Sequence, residues 1–516
     1  MPCDEAVIRS TNADAPCKVN AGRWVLAATI LASGMAFIDS TVVNIALPVL
    51  QASLHATIVG VQWVVECYGL FLAALILVGG SLGDLLGRRR MFLFGVGIFA
   101  ASSITCGLSS SIQQLVIARC IQGVGAAFLV PGSLSIISSS FDEQARGQAI
   151  GTWSGFTAIT TAFGPVLGGW LIGHASWRWA FFINIPIAAA VIIISLRRIP
   201  ESRNDSAERV DWLGALAATV GLGGLVYGFI ESTNLGWDHP LVFGSLIAGF
   251  ACLLLFAFVE AKASSPMLPR ALFASRSFSG ANMLTLFLYA AVGIFFFLFP
   301  LNLIQVQGYS TTATGAAALP FILLMFFLSR WSGGLVRRYG PRAPLVIGPL
   351  LVAAGFVLFA VPSVGVSYWK SFFPAFVILG LGMAISVAPL TTVVMNSVGQ
   401  NRSGIASGIN NAVARVASVL AIAILGIVMV RTFRSGLDRS FSMRMLPPNI
   451  VQYLQSNAIK LAGVNVPSGV DANTAVMIRA SVSHAFVFGF RVEMFICAGL
   501  CLASSAVAWI LIPAAE

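Results

Sequence analysis

Residues 80–90 read GSLGDLLGRRR, and they lie at the end of a long apolar segment, 59–83. One acid and three arginines directly after such a segment are typical of a short polar turn at a membrane surface. Asp84 can accept hydrogen bonds at a helix end and can pair with Arg88 or Arg90. We therefore expect a tight charged turn that latches two helices in one state and releases them in another. The simpler alternative is a basic loop that only sets the orientation of the chain.

The composition of the whole chain agrees with a membrane protein. The chain has 516 residues, of which 58% are hydrophobic and 9% are charged, and its mean hydropathy is +0.90. A soluble domain carries about 25% charged residues, so this chain has too few charges to cover a water-exposed surface. The net charge of +11 comes from basic residues in short loops between apolar segments. This placement is typical of membrane proteins and argues against nucleic-acid binding.

Cysteine and histidine usage gives no sign of a metal or a cofactor. Most of the 8 cysteines lie within apolar segments, and no CxxC pair or Cys/His cluster occurs. Neither a phosphate-binding glycine loop nor a Ser/His/Asp set is recognisable. The sequence therefore predicts no metal site, no cofactor and no enzymatic activity.

Apolar segments long enough to cross a bilayer recur along the chain. A helix of about 20 residues spans the hydrocarbon core, and we identify about fourteen such segments. They cover residues 24–47, 59–83, 91–109, 112–137, 147–172, 179–197, 211–231, 241–260, 281–304, 313–337, 343–361, 368–396, 405–432 and 485–513.

The charges between these segments predict the orientation of the chain. Arginine clusters follow the second, sixth and tenth segments, and these short loops fall on one side of the membrane, which we assign to the cytoplasm. Both termini are then cytoplasmic, and the expected location is the inner membrane of a bacterium. The predicted organisation is a cytoplasmic tail, 1–23, an N-terminal six-helix bundle, 24–198, a linker with two inserted helices, 199–280, and a C-terminal six-helix bundle, 281–516, with a long outer loop, 433–484.

The charged turn resembles the loop after the second helix of the major facilitator superfamily, whose pattern is Gly-x-x-x-Asp-x-x-Gly-Arg-Arg/Lys. The matching residues are Gly80, Asp84, Gly87, Arg88 and Arg89. In that family the loop gates the change between inward-open and outward-open states. The glycines at 80, 83 and 87 also predict close packing of helix and loop. The resemblance implies an all-α membrane fold of about fourteen helices, with two six-helix halves and two inserted central helices.

Arg119 lies in the apolar stretch LVIARCIQGVGAA, residues 115–127. An arginine within a membrane helix costs about 2.5–3.5 kcal/mol on insertion scales, so it should face the bundle interior and pair with another group. Together with Gln122, Gly123 and Gly125 it resembles the second signature of the superfamily, in which the arginine is implicated in proton transfer. The alternative is a structural ion pair or an arginine that reaches the interface.

The fifth apolar segment contains GTWSGFTAITTAFGPVLGGW, residues 151–170. Its glycines allow close helix packing, and Pro165 removes a backbone donor and bends a helix. The residues that match the antiporter signature of drug exporters in the superfamily are Gly155, Gly164, Pro165, Gly168 and Gly169. This resemblance implies export rather than uptake, whereas the glycines alone are also consistent with plain packing.

Asp39 and Glu66 are carboxyl groups within the first two apolar segments. Asp39 is part of FIDSTVVNIALP, residues 37–48, which resembles the signature of the fourteen-helix drug:proton antiporters (EmrB/QacA type). Burial favours the neutral form of a carboxyl group, so Asp39 is expected to exchange a proton or meet a cationic drug when water or a cation reaches it. Glu66 is expected either to share this role or to be a satisfied residue near the outer interface.

Further polar side chains are expected to line a substrate cavity. They are Asn44, Gln62, Trp63, Gln122, Asn410 and Arg415. Arg491 and Glu493 lie in the last apolar segment, and because they are two positions apart on a helix they should not pair. We expect each of them to reach the interface or a neighbouring helix.

Together these features predict a proton-coupled antiporter that exports amphipathic or cationic drugs by alternating access. A monomer is expected, with a small amphipathic substrate, protons and the lipid bilayer as its partners; some relatives also work with a periplasmic adaptor and an outer-membrane channel. Two alternatives are an exporter dedicated to one metabolite, such as a siderophore, an antibiotic or an amino acid, and a membrane sensor or scaffold on the same fold.

Overall fold

The structure, a computed structural model, describes residues 19–141, 143–203, 211–262, 270–397, 403–439, 446–467 and 469–514. Within these ranges the regular secondary structure is helical, and no β-strand occurs. Most of the predicted cytoplasmic tail, up to residue 18, lies outside the described residues.

In the described ranges, fourteen long helices correspond to the fourteen predicted segments. They are α1, Val19–Ser53; α2, Ile58–Leu86; α3, Arg88–Leu108; α4, Ile112–Ser140; α5, Glu143–His174; α6, Asn184–Arg198; α7, Trp212–Leu235; α8, Pro240–Lys262; α9, Arg276–Leu301; α10, Leu319–Gly333; α11, Arg342–Ala360; α12, Tyr368–Asn396; α13, Ser403–Arg439; and α14, Ala472–Leu511. Within the described ranges all of them except α5 belong to helical spans long and apolar enough to cross a membrane. The predicted all-α membrane fold is confirmed.

Some helices extend beyond the predicted segments where polar residues continue an apolar helix. The last helix begins at Ala472 rather than at residue 485, because Asp471 caps it by accepting hydrogen bonds from the backbone and the hydroxyl of Thr474, at 3.0 and 2.6 Å. The hydrogen bond from the hydroxyl of Thr474 has the larger effect, and together with that from the backbone N–H it lowers the pKa of Asp471. Hydropathy detects the part of a helix that lipid solvates, not the residue at which its backbone hydrogen bonds end.

The predicted outer loop 433–484 contains more helix than its sequence suggested. Besides the ends of α13 and α14, it includes the helix Pro448–Ser456 and the 3₁₀ segment Ala458–Gly463. Ile450 and Leu454 of the short helix are buried. The described part of this region is therefore packed against the rest of the protein.

Backbone contacts divide the chain into two compact units. Unit 1 comprises Met1–Val43, Cys67–Leu222 and Ala251–Met267, and unit 2 comprises Asn44–Glu66, Gly223–Phe250 and Leu268–Glu516. Boundaries fall inside α1, α2, α7 and α8, so each of these four helices contributes residues to both units.

The core of unit 1 includes the packed pair α3 and α4. Phe92 and Phe99 on α3 are fully buried, as are Leu115 and Leu129 on α4. The burial of these large side chains aligns the two helices, and it fixes the positions of the polar side chains that they carry.

The core of unit 2 is a cluster of phenylalanines from α9, α11 and α12. The ring centroids of Phe295 and Phe359 are 4.7 Å apart, those of Phe359 and Phe376 are 4.9 Å apart, and those of Phe299 and Phe376 are 5.0 Å apart. The last two pairs meet edge to face, and contacts of this kind add to the stabilisation that burial provides.

The apolar surface of the inserted helix α8 faces outward. Leu241, Phe243, Ile247 and Phe250 each expose more than half of their surface. Apolar side chains in this arrangement are solvated by lipid, which agrees with a multi-pass membrane protein.

Candidate functional site

An ion pair between Asp39 on α1 and Arg119 on α4 lies in the interior of unit 1. Arg119 donates from Nη1 to Oδ2 of Asp39 at 2.5 Å. Neither residue exposes more than 1% of its surface. Arg119 is therefore paired within the bundle, and its partner is the carboxyl group that the sequence had singled out independently.

Neutral side chains complete the hydrogen bonding around this pair. Gln122 on α4 donates to Oδ1 of Asp39 at 2.9 Å and accepts from Arg119 at 2.6 Å. Asn184 on α6 donates to the same oxygen of Asp39 at 3.0 Å. Both amides also donate to Ser103 on α3, at 2.9 and 3.2 Å. Asp39, Arg119, Gln122, Asn184 and Ser103 are called the Asp39 network below.

Both oxygens of the Asp39 carboxylate accept hydrogen bonds. One guanidinium and two amide groups donate to them. The guanidinium of Arg119 also lies 4.2 Å from the ring centroid of Tyr68, a cation–π contact. Asp39 and Arg119 are 80 positions apart, so the local pattern around either residue does not reveal the pair.

The glycine-rich helix α5 packs along α1, the helix that carries Asp39. A Cβ atom at Gly164 would overlap the hydroxyl of Thr41, and a Cβ atom at Gly168 would lie 2.7 Å from Cγ1 of Val42. Only glycine allows the two helices to approach this closely. The other residues of the predicted antiporter signature, Gly155, Pro165 and Gly169, lie within the same helix.

The turn between α2 and α3 is held by a local ion pair and an unusual backbone angle. Nε of Arg88 donates to Oδ1 of Asp84 at 2.7 Å. Gly87 has a φ of +112°, a conformation that residues with a Cβ rarely adopt. The predicted pairing of Asp84 with Arg88 is therefore present in the structure.

Two glycines of this turn do not make the close contacts that the sequence suggested. A Cβ atom at Gly80 would have its nearest neighbour 3.8 Å away, and a Cβ atom at Gly83 would have none within 4 Å. The close approach of α2 to α4 occurs instead at Gly79, where a Cβ atom would overlap the carbonyl oxygen of Ala127. Helix spacing depends on which face of α2 meets α4, and the sequence pattern alone leaves that face undetermined.

Glu201, which follows α6, caps the N-terminus of α3. Its Oε1 accepts the backbone N–H of Arg89 at 3.0 Å, and its Oε2 accepts that of Arg90 at 3.2 Å. The backbone N–H of Arg88 donates to the carbonyl of Ser202 at 2.8 Å. A carboxylate at a helix N-terminus is stabilised by the unpaired N–H groups and the helix dipole. Glu201, which lies outside the predicted turn, thus connects the charged turn to the end of α6 by hydrogen bonds.

Replacing Glu201 by Ala is expected to lower the free energy of unfolding by about 0.5–2 kcal/mol, the usual cost of losing an N-terminal cap. The Glu201→Gln variant should lose less, because an amide oxygen can still accept one of the two N–H groups. Thermal unfolding of the purified variants in detergent measures the effect. Asp238→Ala, at an exposed acid, is the control, and a loss equal to that of the control would contradict the capping role.

Glu66 on α2 is fully buried within unit 2, and neither of its carboxylate oxygens has a hydrogen-bond partner among the described residues. The alternative of a satisfied residue does not agree with this environment. One turn earlier on the helix, Gln62 donates to the carbonyl of Ile422 on α13 at 3.2 Å. Trp63 donates to Glu231 on α7 at 2.8 Å. Both side chains therefore join α2 to neighbouring helices.

A polar cluster joins α9 and α13 in unit 2. Asn410 donates to Oδ1 of Asn282 at 3.2 Å and to the hydroxyl of Thr285 at 2.7 Å. Arg415 lies close enough to Tyr289 for an electrostatic interaction. These contacts place two of the predicted cavity residues on the surface at which α13 meets α9.

Arg491 and Glu493 on α14 have different environments. Arg491 donates to the carbonyl oxygens of Val361 and Pro362 at 3.2 and 3.3 Å, so it reaches a neighbouring segment as expected. Glu493 exposes no surface, and within the described part of the chain its carboxylate oxygens have no hydrogen-bond partner. Glu493 therefore does not reach the interface, and of the two expected placements the one against a neighbouring helix remains.

The structure brings together only some of the predicted site residues. In unit 1 it joins Asp39, Arg119 and Gln122, adds Asn184 and Ser103, and packs the signature helix α5 against the same α1. In unit 2 lie Asn44, Gln62, Trp63, Glu66, Asn410 and Arg415. An asparagine and a serine inside apolar segments are the sequence signal for Asn184 and Ser103, and neither was selected. Among the described residues no group of His, Cys, Asp or Glu is placed to hold a metal ion.

A sequence model of the Major Facilitator Superfamily matches residues 29–422. The chain belongs to this superfamily. Among the curated relatives of this major facilitator protein is the multidrug resistance protein Stp of Mycobacterium tuberculosis, 35% identical over 84% of this chain and 81% of that protein. The tetracenomycin C resistance and export protein of Streptomyces glaucescens is 31% identical over 92% of this chain and 88% of its own. The methylenomycin A resistance protein of Bacillus subtilis is 32% identical over 80% of this chain and 90% of that protein.

Solved structures of major facilitator proteins share the fold of this chain. The crystal structure of a bacterial homologue of the human lysosomal transporter Spinster superposes with a TM-score of 0.67, at 17% identity, over 96% of this chain and 98% of that one. The xylose transporter XylE from E. coli superposes with a TM-score of 0.57, over 95% of this chain and 96% of that one. At these identities the likeness concerns the fold, and the function has to be argued from the site.

Proposed function

We propose that this major facilitator protein is a proton-coupled antiporter that exports amphipathic or cationic drugs by alternating access. The observation that carries the proposal is the Asp39–Arg119 ion pair, which is buried within a helix bundle. Relatives of the chain are named as resistance and export proteins. Ionisable groups inside a membrane helix are costly and mark proton or substrate pathways. A site of this kind can exchange a proton, whereas a packing role alone does not require charge.

The proton step follows from the chemistry of the pair. While Asp39 is ionised, the guanidinium of Arg119 and the amides of Gln122 and Asn184 hold it. When water reaches the pair, a proton can bind Asp39, and the attraction of Arg119 for the neutral acid is then lost. Arg119 becomes available to rotate away within the bundle, and loss of the proton restores the pair. The two protonation states therefore favour two arrangements of α1 and α4.

The packing of α5 on α1 supports the coupling of this step to movement. The contacts of Gly164 and Gly168 lie on the residues that follow Asp39 along α1. A change at Asp39 is thus transmitted to the interface at which α5 meets α1. Glu66, a second buried carboxyl, is a further proton-binding candidate in unit 2. In this scheme the charged turn with Glu201 stabilises one of the two conformations.

The expected setting is the inner membrane of a bacterium, with both termini in the cytoplasm. The inward proton gradient then supplies the work of export, and the electrical part is about 2.3 kcal/mol per charge per 100 mV. We expect the protein to work as a monomer.

Reconstituted vesicles with an acidic lumen are expected to accumulate ethidium, a permanently charged aromatic cation, as protons leave. A permanent charge is required because weak bases accumulate in acidic vesicles without any transporter. Protein-free vesicles are the control, and a protonophore should abolish the signal. If neither ethidium nor a panel of neutral and anionic antibiotics accumulates, the transporter function is wrong and a sensor or scaffold is favoured.

A second candidate is an exporter dedicated to one compound. It is favoured by relatives whose names refer to single antibiotics, tetracenomycin C and methylenomycin A. The same vesicle assay separates the two: accumulation of one compound from the panel, and not of ethidium, supports the dedicated exporter.

A further inference from the structure

Glu493, near the midpoint of α14, is a buried carboxyl group that the Asp39 network does not contain. It exposes no surface, and its oxygens have no hydrogen-bond partner in the described part of the chain. An ionised carboxylate buried without a partner carries a desolvation cost of several kcal/mol. In this conformation the neutral, protonated form of Glu493 is therefore favoured, whereas the carboxylate of Asp39 has a cation beside it.

The neighbours of Glu493 along its own helix identify the face on which it lies. One turn earlier, a Cβ atom at Gly489 would lie 2.9 Å from the sulfur of Met429 on α13. One turn later, Cys497 donates to the carbonyl of Ala291 on α9 at 3.5 Å. Residues four apart lie above one another on a helix. Glu493 therefore lies on the face of α14 that meets α9 and α13, in the interior of unit 2.

Ionisable side chains on the elements that pack against α14 do not neutralise this carboxyl group. Those elements are α9, the π-helical segment Asn302–Val306 that follows it, α11, α13 and the 3₁₀ segment. Their ionisable residues, with those of α14 itself, are Arg276, Tyr289, Arg342, Arg415, Arg431, Arg434, Asp438, Arg439, Lys460, Arg479, His484, Arg491, Cys497 and Cys501. Among the described residues none donates a hydrogen bond to Glu493, and the group that interacts with it electrostatically is the thiol of Cys497.

We infer that Glu493 is a second proton-binding group of the transport cycle, located in unit 2 and separate from the Asp39–Arg119 pair in unit 1. The inference rests on the proposed proton-coupled export. When movement of α9, α13 and α14 admits water, the O–H bond of Glu493 breaks, the proton passes to water, and the electron pair stays on the carboxylate. When the helices close again, the cost of burying the charge requires the group to take up a proton. A packing residue with no role in coupling would gain nothing from a carboxyl group here.

Equilibrium accumulation in vesicles tests this inference. With the membrane potential held at zero, each coupled proton raises the accumulation ratio about tenfold per unit of pH difference, the equivalent of about 1.4 kcal/mol. Replacing Glu493 by Gln, a neutral residue of the same shape, is expected to lower the ratio about tenfold at a pH difference of one unit. Exchange of labelled for unlabelled ethidium at equal pH should continue, because it needs no net proton movement. Asp238→Asn, at an exposed acid, is the matched control.

Each outcome decides the inference. An unchanged ratio in Glu493→Gln overturns it and leaves proton-coupled export intact. A wild-type protein that shows no gradient-driven accumulation overturns the proposed function and this inference with it. If the Glu493→Gln variant does not fold, the accumulation ratio of the wild-type protein decides. A ratio no greater than about tenfold per unit of pH difference means that a single proton is coupled. That result would exclude a second coupled proton and overturn the inference.

Discussion

Replacing Asp39 by Asn is expected to abolish gradient-driven accumulation of ethidium in vesicles. The amide oxygen of Asn can still accept from Gln122 and Asn184, but Arg119 would be left buried without an anion. Removing one partner of a buried ion pair costs about 3–5 kcal/mol. The variant should therefore lose both the proton-binding group and a large part of its stability. Transport in vesicles and thermal unfolding in detergent measure the two effects separately.

A double variant separates coupling from stability. In Asp39→Asn with Arg119→Gln both charges are absent, so most of the lost stability should return, while gradient-driven transport should not. Ser133→Ala is the control, because Ser133 forms a neutral, buried hydrogen bond with Ser33 between the same two helices. Its loss should cost about 1 kcal/mol and leave transport intact. If Asp39→Asn alone keeps gradient-driven accumulation, the proton is carried elsewhere, and Glu66, Glu493 and Arg119 become the leading candidates.

Replacing Gly164 by Ala is expected to lower the transport rate about tenfold or more. The new Cβ would overlap the hydroxyl of Thr41, and overpacking of this kind costs about 1–3 kcal/mol, where 1.4 kcal/mol corresponds to about tenfold in an equilibrium constant. The penalty falls on the contact of α5 with the helix that carries Asp39. Initial rates of ethidium uptake, at equal amounts of reconstituted protein, measure the effect.

The same helix offers a matched control and a rescue. A Cβ atom at Gly151 would have no neighbour within 4 Å, so Gly151→Ala should keep full transport and gain up to about 1 kcal/mol from helix propensity. Adding Thr41→Ala to Gly164→Ala removes the overlapping hydroxyl and should restore part of the rate. Equal losses in Gly151→Ala and Gly164→Ala would show that α5 responds to substitution in general, and the specific contact with α1 would then be excluded.

Much of the fold is predictable because lipid imposes a simple rule. Apolar stretches of about 20 residues have to be helices, so all fourteen segments are predictable without any knowledge of contacts. Helix ends were less predictable: α14 begins well before its apolar stretch, because Asp471 caps a polar first turn outside that stretch. The Asp84–Arg88 pair was predictable because both residues lie in one turn.

The residues with unusual chemistry can be recognised without a structure: Asp39, Glu66 and Arg119 within apolar helices, and the glycines of α5. A charge in an apolar segment is costly and therefore conspicuous. How these residues combine depends on the packing of the helices. The tertiary structure paired Asp39 with Arg119 across 80 positions and added Asn184, Ser103 and Glu201, and within the part of the chain that the structure describes it left the carboxylate oxygens of Glu66 and Glu493 without a hydrogen-bond partner. Those outcomes depend on which helix faces meet, and hydropathy contains no information about the rotation of one helix against another.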